Sequence, residues 1–175
     1  TIVKEKEMGT MEVMLVSPMK PLMVVIAKAI PYLMLSAINI TSILLLSVFV
    51  LGVPVNGSLA LLATESILFT LVSLSLGLLI SSGAESQQAA MFISLVALFL
   101  PTIMLSGFMF PVENMPLPLR IVSNIVPAKW YYIIVKSVMI KGTGLQTIWK
   151  ETLILTGMMI FFLSLAIKNF KIRLA

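Results

Sequence analysis

The chain has 175 residues, of which 59% are hydrophobic and 11% charged, with a net charge of +5 and a mean hydropathy of +1.11. That is far more apolar surface than a soluble domain of this length can bury, so the chain belongs in a bilayer. It has no His, no Cys, no Asp and no Gly-Lys dipeptide, which excludes the usual zinc sites, disulfides, Ser-His-Asp triads, thiol nucleophiles and phosphate-binding loops; any ATP used is hydrolysed on another chain.

Residues 1–8, which begin Thr-Ile-Val without a Met or a signal-peptide pattern, read as the end of a helix already under way, and so as part of a longer protein. Gly9 is placed to end that helix in the left-handed conformation, and Thr10 is an N-cap for a short helix over residues 11–16. Met11, Met14 and Leu15 share one face of it, and Ser17-Pro18 stops it. Three of the seven acidic residues, Glu5, Glu7 and Glu12, gather in this elbow. Glu5 and Glu7 fall in a last turn, where the helix dipole disfavours each anion by about 0.3–1 kcal/mol, whereas Glu12 falls in a first turn, where it is favoured. Helix stability therefore did not select all three, and a solvated face and a partner-binding face are equally open on physical grounds.

Four apolar blocks follow, over about residues 22–50, 59–80, 89–110 and 149–167, each long enough to cross ~30 Å of hydrocarbon. Four spans put both ends on one side. Lys4, Lys6 and Lys20 before the first block, with Lys168, Lys171 and Arg173 after the last, place that side in the cytoplasm. The uncharged loop GVPVNGS after the first block is then external. Lys28 lies in the inner part of the first block and is expected to snorkel to the interface rather than pair with Glu65. Glu65, in the outer half of the second block, is an intramembrane ionisable group and so a functional candidate; the plainer reading hydrogen-bonds it to neighbours such as Thr64. Ser73, Gly77 and Ser81 recur every fourth residue and line up a groove for close helix approach, within the chain or at a dimer seam.

The stretch between the third and fourth blocks carries Arg120, Lys129, Lys136, Lys141 and Lys150, against the charge rule for an external loop. A fifth span through residues 133–140 would resolve the conflict, but that run is too short and Lys136 interrupts it. Pro111, Pro116, Pro118 and Pro127 forbid one continuous helix, and Trp130, Tyr131 and Tyr132 suit the headgroup level. A re-entrant helical hairpin over about residues 111–140, set against the other spans, is the expectation. Basic residues flank apolar blocks throughout instead of forming one stripe, so nucleic acid is not an expected partner.

The opening residues Glu5-Lys6-Glu7-Met8-Gly9-Thr10-Met11-Glu12, followed by Ser17-Pro18, resemble the E-[RK]-E-x-G-T-x-E-x(4)-[ST]-P signature of the type-2 permeases of ATP-binding-cassette (ABC) exporters. LPTIMLSGFMFPVENMP (100–116) is similar to the end of that family's fifth span, and VPAKWYYIIVKSVMIKGTG (126–144) to its outer hairpin, with a P-x-x-[YW]-[YF] start and a K-G end. One departure is Lys136, where the family often has Arg. The resemblance implies an all-α, polytopic membrane bundle lacking the family's first two spans, with both ends of this segment cytoplasmic in the plasma (inner) membrane. It also implies that the elbow is a cytoplasmic coupling helix. Glu5, Glu7 and Glu12 would then contact a separate ABC ATPase subunit that holds ATP and Mg, with Gly9 and Thr10 fixing the elbow. No cofactor is expected on this chain. Further partners would be a second permease copy or paralogue and membrane lipids, and Pro111, Glu113, Pro116, Pro127, Tyr131 and Lys136 would shape the hairpin. Two rivals stand beside this reading: an ion-driven secondary transporter with Glu65 as proton carrier, and a non-transporting membrane scaffold.

Overall fold

A computed structural model describes Val3 and residues 21–172, and these are helical apart from short connections. The elbow residues Glu5, Glu7, Gly9, Thr10 and Glu12 lie outside the described residues. Helix α1 (Pro21–Leu45) opens on a proline, whose fixed φ and missing N–H suit a first turn. It runs into a π-helical turn at Leu46–Val50 and ends at Gly52, with φ +62°. Ser58 caps α2 (Leu59–Gly83), its Oγ accepting from the Leu61 N–H at 3.4 Å. Ser86 caps α3 (Gln87–Ser94) in the same way through the Ala89 N–H at 3.2 Å. A second π turn, Leu95–Phe99, leads into α4 (Leu100–Leu105). Pro101 stands immediately after that wide turn. Its ring would collide with a carbonyl one turn back and it has no N–H to give, and the π turn absorbs the mismatch without breaking the span.

A 3-10 turn at Val112–Asn114 leads to α5 (Leu117–Ser123), and α6 (Pro127–Met139) follows after a three-residue turn. The last helix, α7, is Leu145–Ile172. Among the described residues, four helical stretches are long and apolar enough to cross a membrane: Ala29–Val50, Leu59–Gly83, Gln87–Leu105 and Leu145–Asn169.

The bounds depart from the sequence expectations for local reasons. The first stretch starts only after Lys28, although its helix begins at Pro21. The third ends at Leu105 rather than near residue 110, because Gly107 takes φ +89° and the Ser106 Oγ accepts from the Phe108 N–H at 3.3 Å. The fourth starts four residues earlier than expected, since Lys150 and Glu151 interrupt the apolar run but not the helix.

α2 is the central helix, packed along α7 and touching α1 and α6; α6 in turn packs on both α2 and α7. Among the described residues, the main core cluster is Leu62, Val72, Ile134, Val138, Met139, Ile148 and Leu155, drawn from α2, α6 and α7. The Ala29–Val50 and Gln87–Leu105 stretches contain no buried residue. α6 runs antiparallel to the first half of α2. At one end the Asn56 N–H donates to the Met139 carbonyl at 3.1 Å and Asn56 Nδ2 donates to the Ile140 carbonyl at 3.0 Å. At the other end Tyr131 stacks on Phe69. Loops 51–58 and 140–144 therefore share one side of the bundle. A fifth span through residues 133–140 would have separated them, and α6, at 13 residues, is only ~20 Å long.

Candidate functional site

Two consecutive residues of α2 each tie it to a different neighbour. Glu65 is 2% exposed, and its Oε1 accepts from Thr152 Oγ1 on α7 at 2.8 Å, while Oε2 is buried without a partner. Thr64, the neighbour named from sequence, instead donates to the Ala60 carbonyl at 2.9 Å. Thr152 stands directly across the α2–α7 contact, and its hydroxyl, also 3.0 Å from its own Ile148 carbonyl, has its one proton shared between that carbonyl and Glu65. Ser66 makes the second tie. Its Oγ donates to the Leu62 carbonyl at 2.7 Å, so the Tyr131 hydroxyl, 2.8 Å away, donates to Ser66. The Tyr131 ring lies parallel to Phe69 at 4.3 Å between centroids. Burial raises the Tyr131 hydroxyl above the usual tyrosine range.

Glycines lock the Asn56 end of this triple contact. A Cβ on Gly57 would run into the Val138 carbonyl and come within 2.9 Å of Val138 Cγ1. Gly142 has φ +67°, and a Cβ there would sit 3.0 Å from the Asn56 carbonyl. The K-G end of the hairpin motif is thereby explained. Thr143 folds back so that its N–H and Oγ1 both donate to the Ser137 carbonyl, at 3.1 and 3.0 Å, which closes the C-terminus of α6.

The remaining hairpin residues are spread out rather than gathered. Pro111 and Glu113 are exposed on the 3-10 turn, Pro116 precedes α5, and Pro127 is the first residue of α6. Lys136 is exposed on α6, and its backbone carbonyl accepts from Ile140. Of the six hairpin residues, only Tyr131 enters the α2 contact. The structure also brings forward Lys129, which the sequence reading counted only as a loop charge. It is 9% exposed near the start of α6, with Nζ donating to Asn124 Oδ1 at 2.6 Å and to Ser123 Oγ at 3.2 Å. Its Nζ also lies 5.2 Å from the centre of the Trp130 ring. Burial, and then the Arg120 charge, lower its pKa from the ordinary lysine value. The available signal was its position three residues into a helix that starts at Pro127, where a cation is disfavoured.

The small-residue row has a definite place as well. Ser73, Gly77 and Ser81 line a cavity of about 900 Å3 between α1 and α2, opposite Tyr32 and Ser36. A Cβ on Gly77 would meet nothing within 4 Å. Close packing inside the described chain is therefore not what Gly77 serves.

The profile of a family described as "ABC-2 family transporter protein" matches residues 1–168. The chain belongs to the ABC-2 transporter family. The match takes in residues 5–18 and 111–140 of this ABC-2 chain together. A protein named probable multidrug ABC transporter permease YbhS, from Escherichia coli K12, is 37% identical over 173 residues, covering 99% of the chain and 46% of the relative. Another, named probable multidrug ABC transporter permease YbhR from the same organism, is 35% identical over 151 residues, covering 86% and 41%. ABC transporter G family member 20 of Dictyostelium discoideum is 28% identical over 169 residues, 95% of the chain and 23% of the relative. The chain spans about half the length of the two bacterial relatives. No solved structure matches it. With four membrane-length helices, this ABC-2 chain is a multi-pass membrane protein.

Proposed function

We propose that the chain is the membrane segment of an ABC exporter permease, which pairs with a second permease half and moves substrate outward by alternating access, driven by a separate ATPase subunit that holds ATP and Mg. The observation that carries this is the family match over residues 1–168, which includes the elbow signature as well as the spans. In this reading Glu5, Glu7 and Glu12 contact the ATPase subunit, and Gly9 and Thr10 set the elbow that passes its movement into α1. Both ends are cytoplasmic, and α5–α6 is a re-entrant hairpin entering from the outer face of the inner membrane. Relatives named as multidrug permeases support apolar or amphiphilic substrates.

Glu65 belongs to the scaffold in this reading, because its carboxyl is engaged between α2 and α7. The test is ATP-dependent export by the full-length permease reconstituted with its ATPase. Glu7→Lys and Gly9→Pro should abolish export while leaving the protein in the membrane. Normal export by both variants would overturn the coupling assignment. Loss of export on Glu65→Gln, with ATP making no difference, would instead favour an ion-driven carrier.

A further inference from the structure

Among the described residues, the turn between α5 and α6 concentrates positive charge without a counter-charge. Lys129 is 9% exposed, yet its partners are all neutral: Ser123 Oγ, Asn124 Oδ1 and the face of Trp130. The charge that bears on it is another cation, Arg120, exposed in the last turn of α5. The N-terminal end of α6, where Lys129 sits, adds a third positive contribution.

α6 runs alongside α2 from Asn56 to Phe69, and Lys129 lies beyond Tyr131 in that direction. A buried cation whose partners are all neutral leaves its charge uncompensated. The surface around it is apolar: Leu117, Ile121 and Ile125, on and just after α5, are all exposed.

We propose that Arg120 and Lys129 form a binding site for an anionic amphiphile, with its phosphate or carboxylate head held between Arg120 and the start of α6 and its hydrocarbon chain against Ile121 and Ile125. Arg120 is the cation within reach of the head, a planar fork suited to a phosphate or carboxylate. Lys129 supplies charge from behind, oriented by Ser123 and Asn124. Bilayer lipid and a soluble amphiphile offer the same chemistry, and both are distinguished below. The site does not depend on the coupling or transport reading.

Trp130 reports on the site directly, since the chain's other tryptophan, Trp149, can be removed by Trp149→Phe. The full chain carrying Trp149→Phe is placed in phosphatidylcholine vesicles in which a fraction of the lipid is dibrominated phosphatidylglycerol or, at the same fraction, dibrominated phosphatidylcholine. Trp130 quenching should show the glycerol lipid favoured by about fivefold, a scale set by one or two basic residues acting on an anionic head. Arg120→Gln, at an exposed position that leaves the fold intact, should abolish the preference, and Lys129→Arg should retain it.

In the second arm, dodecyl phosphate is added to vesicles of unbrominated phosphatidylcholine. A saturable change in Trp130 fluorescence that Arg120→Gln removes, together with no lipid preference in the first arm, assigns the site to a free amphiphile. The proposal is overturned if neither probe shows an Arg120-dependent effect, or if the phosphatidylglycerol preference survives Arg120→Gln.

Discussion

The two flanks of the bundle are built from the same residue types and play opposite parts. The largest fully buried apolar side chains, Leu62, Ile134, Ile148, Leu155, Val72 and Val138, lie on α2, α6 and α7, while the α1 and α3–α4 stretches bury nothing among the described residues. Hydrophobicity cannot mark this difference, because lipid is as apolar as a leucine and offers no drive to bring helices together. What marks it is the set of features that permit close approach or need a partner. Glu65 with Thr152, Ser66 with Tyr131, and Gly57 against Val138 all fall on the buried side.

The largest test of that contrast uses two glycines. Gly57→Val should lower the stability of the detergent-purified protein by about 3 kcal/mol or more, since the loop must leave the Val138 carbonyl. Gly77→Ala should be neutral or slightly stabilising, because open space surrounds it. Thermal unfolding followed by circular dichroism compares the two, and equal losses would break the contrast. Next in size, Leu155→Ala should cost about 2–4 kcal/mol, against about 0.5 kcal/mol or less for Ile38→Ala on the uncovered flank.

Thr152→Val should cost about 1–3 kcal/mol by leaving the Glu65 carboxyl with no hydrogen-bond donor in the interior, an effect that the double change Thr152→Val with Glu65→Leu should largely reverse. Tyr131→Phe keeps the stack on Phe69 and loses only the bond to Ser66, so a smaller loss of about 0.6 kcal/mol is expected. If Tyr131→Phe proved costlier than Thr152→Val, the Ser66 tie rather than the Glu65 tie would be the stronger hold on α2.

The element boundaries show which signals carried. α2 starts at the residue where the apolar block begins, after an uncharged loop, and the structure adds that Ser58 caps it. The third span was overrun at its end because GFMF is apolar, and composition does not reveal that Gly107 turns left-handed. Glu65 stood out as a charge in an apolar block, yet its partner was misplaced, since Thr152 lies 87 residues away and no local period links the two. Lys129 was counted as a loop charge because nothing in PAKWYY announces that Ser123 and Asn124 fold back over its ammonium group.

By itself the sequence determined that the chain enters a bilayer, how many stretches can cross it, where prolines forbid a continuous helix and, through the elbow and hairpin motifs, which family it resembles. These follow from local quantities: the length of an apolar run, the φ of a proline, the absence of a catalytic side chain. Only the tertiary structure decided that α2, α6 and α7 form the core, that α6 lies along α2 with its C-terminal end on the same side as loop 51–58, and that Ser123 and Asn124 hold the Lys129 ammonium group at the start of α6. In an environment where apolar surface is satisfied everywhere, position inside or outside is set by a few long-range hydrogen bonds and close backbone contacts, and those depend on residues far apart in the chain.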